Sequence, residues 1–351
     1  MKKRVAIIGH FGGKEGFLDG QTVKTRTLYD ELNKKTNWDI QRVDTYWKST
    51  RPIKLLFQTL FALITRKDVI VLLSGNGMKA FFPFLYWFTR HFQVRVFHDV
   101  IGGNLDQYIT NNPKFRKYLN SFVVNWVETN SLSERLKTCG INNCVVIPNF
   151  KRLCILPSEK IKTSFSEPYK FCTFSRVMKE KGIESAISAI ERINRHNKRT
   201  VCLLDIYGVI DQGYGERFRK VINDSSQAIK YCGSVPYQKS VETISEYFGL
   251  LFPTYWKGEG FPGTIIDAFS AGIPVIASDW AYNSELVVNG INGMVYSMES
   301  GENLDRAIMQ LIDIPPKELK TIRENCIRSA EKYQPDVYIE AIINSIVSQS
   351  N

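Results

Sequence analysis

The sequence is poor in the residues that build disulfide and metal sites. It has seven cysteines and four histidines in 351 residues, and no CxxC among Cys139, Cys144, Cys154, Cys172, Cys202, Cys232 and Cys326. An odd, dispersed set of thiols in a chain this long argues against a disulfide framework and a structural zinc site. Long apolar runs are missing too. Val5–Ile8 follows Lys2, Lys3 and Arg4 but stops at Gly9 and His10, short of the ~7–15 apolar residues of an export signal, so it reads as a first strand. Ile53–Ile64 is broken by Lys54, Gln58 and Thr59, and no stretch reaches the ~20 uninterrupted apolar residues of a membrane span. A soluble, cytoplasmic chain is expected.

Nucleotide signatures are absent as well. Gly9-His10-Phe11-Gly12-Gly13 is not GxGxxG, and no acid closes a second strand ~20 residues on, which argues against NAD or FAD. There is no GxxxxGK[ST] and no DxD, so neither a P-loop nor a metal-gripping carboxylate pair of that type is expected. No cofactor and no metal follow from the motifs.

What is present is an ordinary globular composition, 44% hydrophobic and 23% charged, with an unusual charge distribution. Up to Phe150 there are 22 basic against 11 acidic residues; the remainder holds 24 of each. The whole net charge of +11 therefore sits in the first half. That half should face something anionic.

Short β-rich runs recur at spacings suited to βα units. The first series is Val5–Ile8, Val69–Leu73, Val94–Phe97, Phe122–Val127 and Val145–Ile147. A polar connection, Lys151–Pro168, precedes a second series: Phe171–Phe174, Val201–Ile206, Ile229–Tyr231, Leu250–Phe252, Val275–Ala277 and Met294–Tyr296. Continuously apolar strands separated by helices mean parallel sheets covered on both faces. The expected fold is α/β, two Rossmann-like doubly wound domains facing across a cleft, at 1–155 and 156–335. A final helix, 336–351, should pack back on the first domain.

Two segments carry candidate chemistry. After Leu250–Phe252 and Pro253 comes a loop with Glu259, then a helix opening near Pro262–Thr264, then Asp267. A glycine-flanked helix N-terminus at a carboxyl strand end offers N–H groups and a positive dipole end to an anion. Phe261, Gly263 and Thr264 are the candidate backbone donors, since Pro262 has no N–H. Glu259 and Asp267 are placed to accept hydrogen bonds from sugar or ribose hydroxyls. An ordinary βα turn fits the same residues. The second segment, Phe174-Ser175-Arg176 through Lys181-Gly182, also follows a strand. Arg176 and Lys181 could hold phosphate oxygens, or form a solvated basic turn.

Taken together, the order and spacing of these segments resemble the retaining GT-B glycosyltransferases of glycosyltransferase family 4. The matching residues are Arg176, Lys181-Gly182, Glu259-x7-Asp267, the run Gly272–Ser278, and Glu285 through Gly293. In the first half, Asp19-Gly20-Gln21-Thr22 resembles the family's glycine-bearing loop near the donor diphosphate. His98-Asp99 resembles its active-site histidine, and Pro148-Asn149 the pair closing its first domain. Phe261–Thr264 and Ala277–Trp280 look like the bacterial capsular, exopolysaccharide or O-antigen branch. Asp267 stands where Glu is commoner, which shortens that contact by one methylene.

The resemblance implies transfer of a sugar from a nucleotide-diphosphate donor, UDP-sugar by preference, with retention and without a metal. Arg176 and Lys181 would stabilise the departing diphosphate. Glu259 would hold donor-sugar hydroxyls and Asp267 the ribose. Glu285 would support the loop, Gly20 would approach the diphosphate, and His98 would bond the sugar near the reacting carbon. The acceptor would be a lipid-linked saccharide, reached from the anionic inner face of the membrane. Cation-flanked apolar segments suit such docking: Ile53, Leu56, Phe57, Leu60, Phe61 and Ile64 between Arg51 and Lys67, and the aromatic Ala80–Phe88 between Lys79 and Arg90. Both could instead be core helices. A GT-B nucleotide-sugar epimerase and a weakly catalytic nucleotide-sugar-binding scaffold are the alternatives. No nucleic-acid motif is present.

Overall fold

The computed structural model describes residues 2–15, 20–300 and 302–348. The chain divides into two compact units, Met1–Arg152 with Tyr333–Asn351, and Leu153–Lys332.

The first unit is a six-stranded parallel sheet of order β2-β1-β3-β4-β5-β6. Its strands are β1 (Arg4–Gly9), β2 (Asp39–Asp44), β3 (Asp68–Leu72), β4 (Arg95–Asp99), β5 (Val124–Val127) and β6 (Cys144–Val146). The helices between them are α1 (Gly20–Lys35), α2 (Pro52–Thr65), α3 (Gly75–Phe92), α4 (Leu105–Asn111), α5 (Phe115–Ser121) and α6 (Asn130–Thr138). The central strands are buried throughout because helices cover both faces: β3 and β5 expose no residue. β2 escaped the sequence pattern. Its sequence, DIQRVD, buries only Val43, as a sheet edge permits.

The second unit has strands β7 (Tyr169–Phe174), β8 (Cys202–Tyr207), β9 (Ile229–Gly233), β10 (Gly249–Phe252), β11 (Val275–Ser278) and β12 (Gly293–Tyr296). Their order is β12-β11-β10-β7-β8-β9, all parallel. The helices are α7 (Ile183–Asn197), α8 (Gly215–Asp224), α9 (Ser240–Ile244), α10 (Gly263–Ser270), α11 (Asn283–Leu286), α12 (Glu302–Ile312) and α13 (Pro316–Glu331). Strand order reverses between β7 and β10. In doubly wound sheets that switch point, at the carboxyl ends of the strands, is where a crevice opens for a ligand.

The last helix, α14 (Pro335–Ser348), buries Ile339, Ile342 and Ile346 in the first unit's core with Val5, Leu28, Leu32 and Phe150. Residues 349–351 lie outside the described residues.

The two apolar helices of the first unit behave differently. α3 uses its aromatic face for packing: Met78, Phe82, Leu85 and Phe88 are buried, leaving Trp87 and Phe92 exposed at its end. α2 buries Leu55, Thr59, Ala62 and Leu63 and leaves the opposite, apolar stripe in solvent. Among the described residues no helix is long and apolar enough to cross a membrane.

Candidate functional site

The switch point of the second sheet holds most of the residues singled out by the motifs. β7 runs out at Phe174, and a 3-10 turn, Lys179–Lys181, precedes α7. β10 runs out at Phe252, and its loop returns to Glu259 before α10 begins at Gly263. Lys181 Nζ lies 2.6 Å from Glu259 Oε2, and Thr254 Oγ1 donates to the same oxygen at 2.8 Å. The ammonium also lies over the Trp256 ring, 4.9 Å from its centroid. Both members of the pair are largely buried.

Backbone geometry fixes this arrangement. Gly182 has φ +69°, and a Cβ there would sit 2.0 Å from the Pro253 carbonyl oxygen. Only glycine lets the two strand tips approach so closely. The Tyr255 N–H donates to the Glu180 carbonyl at 2.8 Å, a second tie between the same loops. A third tie joins α10 to β7, where the Thr264 hydroxyl donates to the Phe174 carbonyl at 2.7 Å. Arg176, two residues beyond Phe174, is exposed and forms no ion pair among the described residues.

Asp267 lies on α10 and is mostly buried, as is Phe261 at the loop's end. Glu285 is half-buried on α11. That helix is tied to the site through Asn283, whose amide donates to the Ser278 carbonyl; Ser278 Oγ donates in turn to the Thr254 carbonyl at 2.5 Å. Thr254 and Trp256 had no motif to announce them. A hydroxyl five residues before the acid, just past a strand's end, was the available signal.

One consequence modifies the expected roles. Lys181 and Glu259 face each other, so their charges cancel here. The N-terminus of α10 follows at the end of the same loop and presents its positive dipole end there.

In the first unit, Gly20 is exposed and opens α1, while Asp19 lies outside the described residues. Gln21 ties the start of α1 to the tip of β3 through the Leu72 carbonyl at 3.1 Å. His98 lies inside β4. The strand continues through His98 and Asp99, so its imidazole points into the layer beneath α3 and is fully buried. It packs edge-on against Phe82 at 5.0 Å and against Phe122. Asn125 donates its amide protons to the Leu119 carbonyl and Asn143 Oδ1, so its own Oδ1 accepts from His98 Nδ1 at 3.0 Å. Burial pushes the imidazole pKa down to about 4. In this position it contacts core residues and no solvent.

The next residue turns the other way. Asp99 Oδ1 lies 2.6 Å from Lys24 Nζ, which also donates to Glu128 at 2.9 Å and to the Val100 carbonyl at 3.1 Å. All three charged side chains are buried. Burial opposes the charge on Lys24, yet Asp99 and Glu128 together hold its pKa above the usual value. Burial pushes Asp99 up to about 6; the attraction of Lys24 offsets this in part, and Glu128 adds to it.

Among the described residues no group of His, Cys, Asp and Glu could hold a metal ion. The family model "Glycosyl transferases group 1" matches residues 157–333, half of the chain and nearly the whole second unit. The chain belongs to this family. An uncharacterized glycosyltransferase of Methanocaldococcus jannaschii is 28% identical over 159 residues, 44% of this chain and 39% of that protein. The poly(glycerol-phosphate) alpha-glucosyltransferase of Bacillus subtilis is 30% identical over 178 residues, 50% of this chain and 25% of its own length. The chain thus spans well under half the length of these curated relatives. A solved structure of Anabaena HepE with UDP and glucose superposes with a TM-score of 0.72 at 14% identity, covering 99% of this chain and all of that one. The fold of this group 1 member is GT-B.

Proposed function

We propose that this chain is a retaining, metal-independent glycosyltransferase of family 4. In this reading it moves a sugar from a nucleotide-diphosphate donor to a saccharide acceptor. The observation that carries it is the Lys181–Glu259 pair at the β7/β10 switch point, inside the segment matched by the family model. The chemistry needs fixed positive charge where the nucleoside diphosphate leaves, and a carboxylate beside the sugar. Arg176, two residues beyond β7, is exposed and forms no ion pair among the described residues, and the α10 N-terminus supplies backbone donors. A bound diphosphate would compete with Glu259 for Lys181, freeing the carboxylate to accept hydrogen bonds from sugar hydroxyls. Asp267 would receive the ribose and Glu285 would brace the loop.

UDP-sugar is the donor class to test first, because the superposing Anabaena protein was solved with UDP and glucose. The acceptor in this proposal is a lipid-linked saccharide of bacterial surface polysaccharide synthesis, such as capsule or exopolysaccharide. The enzyme would reach it from the cytoplasmic face of the membrane. Support comes from the +11 charge confined to the first half and from the exposed apolar stripe of α2.

The test is incubation with UDP-, GDP- and dTDP-sugars, with and without a lipid extract. Nucleotide release that requires the extract is expected. Interconversion of the donor without acceptor would replace this reading with an epimerase, and binding without turnover would replace it with a scaffold.

A further inference from the structure

The donor chemistry proposed above uses the second unit, but a strongly cationic concavity lies in the first. A cavity of about 260 Å³ is lined by Lys14, Arg42, Asp44, Trp47, Arg51 and Lys54 among others. Its one acid is already engaged: Asp44 accepts backbone N–H bonds from Phe11 and Tyr46 on one oxygen and from Gly13 on the other, at 2.8–3.0 Å. None of the four cations forms an ion pair among the described residues. Two are held in place by aromatic rings, Arg51 over Trp47 at 4.6 Å and Arg42 over Tyr29 at 4.9 Å. Four cations against one carboxylate leave a net positive charge around one small cavity, which favours entry of an anion, and guanidinium forks suit phosphate oxygens.

The cavity adjoins α2. Ile53, Phe57, Phe61 and Ile64 recur at helical spacing and are 70%, 67%, 58% and 71% exposed, with Leu56 beside them. The buried face of the same helix is separate, at Leu55, Thr59, Ala62 and Leu63. At about 100° per residue Lys54 lies roughly 65° round the helix from the centre of the Ile53, Phe57, Phe61 and Ile64 stripe, so the cationic pocket borders it on one side. A solvated apolar stripe bordered by a cationic pocket is complementary to one kind of surface: acyl chains beneath phosphate headgroups.

We propose that this face docks on a bilayer containing anionic phospholipid. The α2 stripe lies among the acyl chains, and the pocket of Lys14, Arg42, Arg51 and Lys54 closes on a lipid phosphate. This deepens the membrane part of the proposed function by giving it a site and a ligand, and it is independent of donor turnover.

The test is co-sedimentation of the full chain with vesicles of phosphatidylcholine alone, or of equal parts phosphatidylcholine and phosphatidylglycerol. Binding is expected only to the anionic vesicles. Arg51→Glu with Lys54→Glu, and separately Phe57→Ser with Phe61→Ser, should each weaken it about tenfold or more. All four side chains are exposed or at the surface, so the fold should survive; the pair Arg51→Lys with Lys54→Arg should retain binding. Equal binding to both vesicle types, binding to neither, or an unaffected charge-reversed variant overturns the proposal. So does saturation of the pocket by inorganic phosphate in solution with vesicle binding indifferent to the Phe57 and Phe61 changes, which would mark a free-phosphate site.

Discussion

Each sheet carries a buried lysine facing carboxylate at its carboxyl edge, and the two clusters are built for different ends. In the first unit Lys24 serves two acids and a carbonyl, and the whole group is sealed by packing. In the second, Lys181 serves one acid that a neutral hydroxyl also satisfies, and an arginine close by in sequence is exposed and forms no ion pair among the described residues. The first arrangement has spent its charge on structure. The second can exchange its internal partner for a ligand without stranding two carboxylates in the core. A strand-tip lysine is therefore informative only with its partners counted.

Replacing Lys24 by Met should produce the largest loss. It leaves Asp99 and Glu128 buried without a cation, a cost of about 3–5 kcal/mol. Urea denaturation would register this; a loss below ~1 kcal/mol would show that the first cluster is not structural. The contrasting change is Lys181→Ala or Glu259→Ala. Transfer should fall by about a hundredfold or more, because Lys181→Ala removes charge stabilisation of the leaving group and Glu259→Ala removes the carboxylate proposed to hold the sugar hydroxyls, while the folded chain persists by circular dichroism. Near-normal turnover in either variant would remove the distinction drawn between the clusters.

His98 sharpens the comparison through pH. With its pKa lowered from 6.5 to about 4 in the folded chain, it stays neutral there while the unfolded state takes up a proton. Stability present above pH 6.5 is thus lost as pH falls towards 4, by up to about 3 kcal/mol from this group alone. Asp99, raised to about 6, acts with the opposite sign over part of that range. The measurement is accordingly the difference between wild type and His98→Gln, whose stability should be less sensitive to acid. Parallel curves would mean that His98 is not the group responsible. The smallest expected effect is Gly182→Ala, which forces a side chain onto the Pro253 carbonyl from a positive φ and should cost about 1–3 kcal/mol. If thermal denaturation finds it neutral, the strand tips are not held by close approach.

Much of the fold was readable because buried parallel strands announce themselves as apolar runs. Val5–Ile8, Leu250–Phe252 and Val275–Ala277 fall inside β1, β10 and β11. β2 was not readable, since an edge strand can alternate polar residues such as Asp39, Gln41 and Arg42 without penalty. At the site, Lys181 and Glu259 stood out by motif, but their mutual contact spans 78 positions and depends on which strands neighbour. The burial of His98 turns on a strand boundary that the apolar run Val94–Phe97 does not mark. Ending β4 at Phe97 frees the ring, whereas two further residues in the strand bury it and alternate Asp99 to the opposite face. The Lys24 cluster joins residues from three separated segments, and no local pattern announces it. For α2 and α3, composition alone left both roles open; what separates them is that α3 has α5 and β4 to cover its aromatic side, while the α2 stripe has no such cover among the described residues.

The return of α14 to the first unit has a consequence for biogenesis. The second unit is one uninterrupted stretch, Leu153–Lys332, whereas the first needs Ile339, Ile342 and Ile346 to close its core. As the ribosome releases the chain from its N-terminus, every segment of the second unit emerges before α14, so the first unit's interior can be fully covered only once this last helix has been made.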